Sequence, residues 1–151
     1  MTQLELDAEI MKFTPSRIPQ TVDQTERRLR SLVEKEASLA PLGVWAAELN
    51  GNAEFFGWFM LMKSEFEFPE LGFMIVRKHW GKGLATEVAR ALIDFGMNGL
   101  NLNGLTAATD LDNPASIRVL EKLGFRFLKN TSKHDKIRNQ DIELAVYELR
   151  K

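Results

Sequence analysis

Apolar residues recur along this chain at two periods, and between them they mark out its elements. Leu84, Ala85, Val88, Ala89, Leu92 and Ile93 fall at helical spacing and predict a helix reaching about Phe95. Leu71 to Val76, directly before it, reads as a strand. Val22, Leu29, Leu32 and Val33 predict the inner face of another helix, which Thr21 and Gln24 open as a capping box and which runs to about Ala37. Asp7 caps a shorter helix through Phe13, ended by Pro15. After the break at Pro41 to Gly43, Val44 to Leu49 and Glu54 to Met62 read as strands joined at Asn50-Gly51, a strong hairpin signal. Lys63 to Pro69 is a short acidic and aromatic connection. Gly96 to Gly104 reads as a loop and Leu105 to Thr109 as a short strand. A helix is predicted over Pro114 to Leu123, with proline at its first position and Gly124 just past its end. Phe125 to Lys129 and Ile142 to Leu149 complete the strands, separated by a polar loop through Asn139. This order predicts a mixed α/β (α+β) fold, with antiparallel hairpins around one strand–helix–strand crossover.

Length and composition narrow the class. A chain of 151 residues, 44% hydrophobic, is expected to form one domain over residues 1–151 with a core of its own. No repeat, linker or low-complexity segment divides it. Twenty basic residues against 21 acidic ones leave a net charge of −1, which argues against a nucleic-acid partner. No apolar run is long enough to span a bilayer and no signal peptide opens the chain, so the expectation is a cytoplasmic protein with no membrane partner. The absence of cysteine rules out a thiol-bound acyl intermediate and a thiolate zinc site. The two histidines, His79 and His134, do not suggest a metal site.

The most informative stretch is Trp80-Gly81-Lys82-Gly83-Leu84-Ala85-Thr86-Glu87, where strand hands over to helix. Glycines there let the backbone turn tightly and approach a ligand, and the free N–H groups of the first helical turn point at it. The expected ligand carries phosphate. The spacing is neither a dinucleotide fingerprint nor an ATP-binding P-loop, and a plain tight turn would use the same residues. A second cluster sharpens the reading: Asp112-Asn113-Pro114-Ala115-Ser116-Ile117-Arg118-Val119-Leu120-Glu121-Lys122-Leu123-Gly124-Phe125.

Together the two clusters resemble the GNAT superfamily of acyl-CoA-dependent N-acetyltransferases, whose Gln/Arg-Gly-x-Gly-x-Gly/Ala loop holds the coenzyme A pyrophosphate. Trp80 stands at the usual Gln/Arg position. The branch that shares this departure, the ribosomal-protein-alanine acetyltransferases, has a Trp-Gly-Lys-Gly-x-Ala-Thr-Glu loop with Asn-x-x-Ser and Gly-Phe downstream. The resemblance covers about Asp7 to the C-terminus. It implies a central, mostly antiparallel sheet flanked by helices, in which two parallel strands splay and acetyl-CoA lies in the gap as co-substrate. No metal is implied. Chains of this kind usually open with a strand and a helix, which this sequence lacks; either the start is placed too late or the protein does without the first strand.

Residue roles follow by position. Transfer of an acetyl group from a thioester to an amine needs a neutral amine, a donor to the oxyanion and a proton for the leaving thiolate. The resemblance gives Ile75, Val76 and Arg77 to the pantetheine arm, and Trp80, Gly81, Lys82, Gly83, Leu84, Ala85 and Thr86 to the pyrophosphate. Asn113 reads in its own right as the N-cap of the following helix, accepting the N–H of Ser116, while the resemblance turns its amide to the coenzyme arm. Ser116 supports the cap or hydrogen-bonds the leaving sulfur. Arg118 and Lys122 are surface charges or reach the 3′-phosphate. Glu70, opening the strand beside the acceptor site, is the candidate base, although an ordinary carboxylate near pKa ~4.3 is weak for an ammonium without burial or a water chain. Glu65 and Glu67 nearby can attract a cationic amine, or all three acids are a solvated loop. His79 is expected to pack or face solvent, and Trp45, Trp58 and the aromatics of 55–59 to build core and pocket wall.

The reading is an N-acetyltransferase that moves an acetyl group directly to a primary amine in a ternary complex. A coenzyme-binding sensor without transfer and a phosphate module for another nucleotide are the alternatives. The acceptor is a protein N-terminal amine, a polyamine or amino-sugar, or an amino-acid-like metabolite. Without a first strand, the apolar edge of Val44 to Leu49 would lie open, so it is expected to be covered by a second copy, in a homodimer, or by Thr2 to Leu6.

Overall fold

A computed structural model describes residues 2–14, 17–135 and 139–151. Pro15, the expected helix stop, lies outside them, as do residues 136–138 of the last connection. Six strands form one sheet: β1 (Gly43–Glu48), β2 (Phe55–Met62), β3 (Glu70–Ile75), β4 (Gly104–Asp110), β5 (Arg126–Asp135) and β6 (Gln140–Arg150). Their order is β1-β2-β3-β4-β6-β5, and every neighbouring pair is antiparallel except β3 and β4. The α-helices are α1 (Thr2–Glu5), α2 (Ala8–Met11), α3 (Val22–Leu39), α4 (Leu84–Asp94) and α5 (Pro114–Lys122), with a 3-10 turn at Arg77–His79 and a π-helical turn, Phe95–Gly99, that extends α4 into the expected loop. The mixed α/β order with a single crossover through α4 is as the sequence predicts.

Apolar alternation explains the sheet. Phe56, Phe59, Leu61, Leu71, Ile75, Leu105, Ala107, Ala145 and Tyr147 join Ala89 of α4 and Leu120 of α5 in one buried cluster. Burial of this apolar surface is the main force that holds the two helices to the strands. Gly57 lets β2 and β3 approach closely at its position, because a Cβ there would stand 2.5 Å from the Met74 carbonyl oxygen. The helix ends are as their sequences dictate. Thr21 and Gln24 form the reciprocal capping box of α3, and Asn113 caps α5 with Pro114 at the first turn.

Three expectations are corrected. Asn130 to Asp135 continue β5 and pair with β6, where a loop was expected, because the polar residues there still satisfy the antiparallel ladder. The inner face of α3 is not Val22 and Val33, which are exposed, but centres on Thr25, with Leu29 and Leu32 half-buried. A buried carboxylate overrides the apolar pattern: Glu5 of α1 accepts a hydrogen bond from Thr25 Oγ1 (2.8 Å) and pairs with Arg28. Such a carboxylate must be partnered, and Thr25 and Arg28 on the polar side of α3 are the partners. Third, Thr2 to Glu5 do not cover the edge of β1. They form a helix whose Leu4 is fully buried and which packs against α2 and α3.

Among the described residues, the outer side of β1 therefore has no strand partner, and Trp45 and Ala46 are exposed on it. For this chain, pairing of two copies through β1 is the expected cover. Light scattering should give a dimer that Ala46→Lys shifts toward monomer, whereas a monomer at every concentration excludes edge pairing.

Candidate active site

The parallel strands β3 and β4 pair only at Glu70 and Thr106, with Thr106 N–H donating to the Pro69 carbonyl at 2.9 Å. Beyond that point they diverge. On its other side β3 is bound to β2 throughout, and Val76 N–H donates to the Phe56 carbonyl (2.8 Å). Antiparallel alternation then turns the N–H groups of Phe73 and Ile75 toward β4, into the gap. The Ile75 carbonyl points the same way and accepts the indole N–H of Trp80 at 2.8 Å.

Two cavities meet at this gap. One, of about 690 Å³, runs from Phe73, Met74 and Ile75 past His79, Trp80, Gly81 and Gly83 to the first turn of α4 (Leu84, Ala85, Thr86) and to α5 (Asn113 to Ser116, Arg118, Val119, Lys122). The other, of about 510 Å³, is lined by Trp58, Met60, Glu65, Glu70, Thr109, Asp110, Lys129, Thr131 and Lys133, among others. Phe13, Thr14, Phe73, Met74, Asn113 and Ser116 line both, so the passage between them lies at the splay.

The first cavity ends on an anion-ready surface. Gly81 (φ 74°) and Gly83 (φ 81°) take left-handed backbone that glycine adopts without penalty, and a Cβ on either would point into open space. Gly83 is the N-cap of α4 and brings no side-chain cap; the first intrahelical bond runs from Glu87 N–H to Gly83 O (3.0 Å). The N–H groups of Leu84, Ala85 and Thr86 thus have no partner among the described residues and face outward at the positive end of the helix dipole. His79 is buried beneath the turn and joined through Nε2 to Glu54 Oε1 (3.1 Å), which also pairs with Lys78. Hydrogen bonds from Lys78 and then His79 hold the Glu54 carboxyl down at about 2. This anchors the turn to the start of β2, and His79 packs as the sequence suggests.

Placement of the remaining candidates is mixed. Ile75, Trp80, Gly81, Gly83, Leu84, Ala85, Thr86, Asn113, Ser116 and Lys122 all reach the first cavity; Val76, Arg77 and Lys82 do not line it. Arg77 instead pairs with Asp7 at 3.4 Å. Asn113 Oδ1 accepts the Ser116 N–H (3.1 Å), so the cap is real, and both residues stand at the junction of the cavities. Glu65 lines the second cavity, but Glu67 is drawn away to Arg150 (3.1 Å). Sequence reasoning missed Phe13, Thr14, Phe73 and Met74 at the junction and Lys129 and Lys133 beyond it. Only strand alternation could have pointed to Phe73, and nothing local marks the lysines.

The chain belongs to the GNAT acetyltransferase family. The family's model, an acetyltransferase (GNAT) domain, matches residues 1–126. A protein of Bacillus subtilis called YkkB, itself uncharacterized, is 37% identical over 110 residues, covering 71% of this chain and 60% of its own length. The chain thus spans about three fifths of that relative. Among solved structures, the spermidine N-acetyltransferase from Vibrio cholerae in complex with CoA and spermine superposes with a TM-score of 0.78 at 16% identity, over 99% of this chain and 86% of that one. The ribosomal-protein-S5-alanine acetyltransferase of Vibrio fischeri does so at 0.70 and 20% identity, over 91% and 74%. Both share the GNAT fold with this chain, so the fold does not single out the ribosomal-protein branch. No helix among the described residues is long and apolar enough to cross a membrane.

Among the groups that line the second cavity, Glu70 has a shifted proton affinity. Burial pushes its carboxyl up, the charge of Glu65 adds to the rise, and Lys133 opposes it. A raised folded pKa means that stability is fully present while the acid is protonated and is lost as pH rises through that pKa. Glu70→Gln cannot ionise. Its melting temperature should exceed that of the wild type at pH 7, with the gain vanishing near pH ~3.5, below the ordinary carboxylate range. An equal difference at both pH values would assign the effect to packing.

Proposed function

We propose that this chain, acting as a single domain, transfers an acetyl group from acetyl-CoA directly to a primary amine. The observation that carries the reading is the meeting of two cavities at the β3–β4 gap, one ending on the uncovered first turn of α4 and the other on Glu70. Acetyl-CoA supplies the acyl group already activated as a thioester. Its fit is argued from the chain: the left-handed glycines and free N–H groups of 84–86 suit a pyrophosphate, and the elongated first cavity suits the pantetheine arm. Arg118 and Lys122 stand on its wall with cationic ends for a further phosphate.

Each remaining residue has a task in the step, which forms one N–C bond and breaks one C–S bond. The N–H groups of Phe73 and Ile75 face the thioester oxygen as fixed donors, worth most in a site that excludes water. Glu70 accepts the proton that the amine gives up, and its raised affinity for protons makes it a better base than an exposed glutamate. Ser116 offers its hydroxyl to the departing sulfur, and Asn113 holds the turn that carries Ser116. The Trp80 to Glu87 loop supports kinship with the ribosomal-protein-alanine acetyltransferases, while the solved neighbours include a spermidine enzyme too.

Paired variants separate binding from chemistry. Gly83→Val adds a side chain on the ligand side of a left-handed turn and should weaken acetyl-CoA binding by about tenfold or more (about 1.4 kcal/mol) in calorimetry. Ser116→Ala should lower turnover more than coenzyme affinity, because its hydrogen bond matters mainly as sulfur departs. Unchanged affinity in the first variant would defeat the pyrophosphate assignment. Thiol release from acetyl-CoA with a panel of amines tests transfer itself, and binding without any release would leave a coenzyme sensor.

A further inference from the structure

The second cavity has charges of both signs, on separate walls. Glu65 and Glu70 enter from the β2–β3 connection and the start of β3. Lys129 and Lys133 enter from β5 with Thr131 between them, three residues on one face of a strand by the two-residue period. Asp110 also lines the cavity, but it is buried and paired with Arg17. None of these four makes a direct ion-pair contact among the described residues, although Lys133 is near enough for its charge to act on the Glu70 carboxyl. Strands β4 and β6 lie between β3 and β5, so the two walls are set three strand spacings apart, roughly 14 Å between backbones. All four line the cavity, Glu70 half-buried and Glu65, Lys129 and Lys133 exposed on its solvent side.

This distribution selects among acceptors. A polyamine calls for negative charge along its whole length, and two unpaired ammonium groups at the far wall would repel it. An acceptor with no anionic group brings nothing to Lys129 and leaves Lys133 only its action on Glu70. A small molecule with an amine at one end and an anionic group a few bonds away meets both walls and keeps the loaded cavity close to neutral. The volume, about 510 Å³, is in the range of small-molecule sites.

We infer that the acceptor amine carries an anionic group, a carboxylate or a phosphate, held by Lys129, Lys133 and the Thr131 hydroxyl while Glu65 and Glu70 face its nitrogen. The inference rests on the transferase reading and names its second substrate. The lysines are specificity residues that act on the far end of the acceptor, away from the reacting atoms.

The test compares 4-aminobutyrate, its primary amide, O-phosphoethanolamine and spermidine as acceptors, with thiol release as readout. In the wild type, kcat/KM for at least one of the two anionic amines should exceed that for the amide by about tenfold or more, and the better of them tells carboxylate from phosphate. Lys129→Glu/Lys133→Glu should cut that ratio by about tenfold or more and raise the preference for spermidine, with the Gln pair moving the same way by less. A wild type that favours the amide or spermidine overturns the inference, as does a double variant that lowers all four acceptors in proportion. If no acceptor releases thiol, calorimetry with the four amines on CoA-saturated protein decides. Anion-dependent binding lost in the double variant upholds the acceptor class and defeats transfer, and its absence defeats the acceptor class.

Discussion

The site depends on one interrupted strand pairing. β3 and β4 run parallel and touch at Glu70 and Thr106, then part, although each is firmly held on its other side. β2 binds β3 over six residue pairs and β6 binds β4 over seven, so neither strand can swing across to close the gap. The interior N–H and C=O groups along the split therefore keep unmet hydrogen-bonding capacity, which a fold normally avoids because an unpaired polar group in a dry interior costs about 1–3 kcal/mol. The indole of Trp80 meets part of that need at the Ile75 carbonyl. What is left is a pair of donors in fixed positions, with no reorganisation required when a polar ligand arrives.

Glu70 stands where the split begins, and this explains its chemistry. The one point of strand contact is also where the sheet screens the carboxylate from water, so the residue that starts the gap also has its proton affinity raised. A half-buried acid kept against its preference costs the fold stability, and raised proton affinity is a common feature of functional sites. On the other flank, the αL glycines leave the first turn of α4 without a cap. A serine or aspartate there would satisfy those donors internally and remove them from use.

Away from the site, polar docking sets the arrangement of the first helices. Glu5 is buried and satisfied by Thr25 and Arg28, so α3 turns its polar side inward and leaves Val22 and Val33 in solvent. Likewise Asp7, the cap of α2, reaches Arg77 just before the glycine turn, and Arg17 reaches Asp110 at the end of β4. These ion pairs tie a segment with little secondary structure to the two strands that form the gap.

Local sequence determined whatever depends on a residue and its near neighbours. The capping box at Thr21, the Asn113-Pro114 helix start, the glycine turn before α4 and the alternation of β3 were all legible, because cap chemistry and periodicity act within a few residues. Most of the residues proposed for the coenzyme line the first cavity, since the same local turn and cap bring them there. Tertiary structure alone decided the rest. The long β5–β6 hairpin through polar residues was hidden, since cross-strand partners override a weak local pattern. The inward face of α3 was decided by a carboxylate twenty residues away. Lys129 and Lys133 read as ordinary strand-surface lysines until the sheet order sets β5 across the cavity from Glu65 and Glu70. A charge acquires meaning from what it faces, and which groups face each other is fixed by long-range pairing that no local window contains.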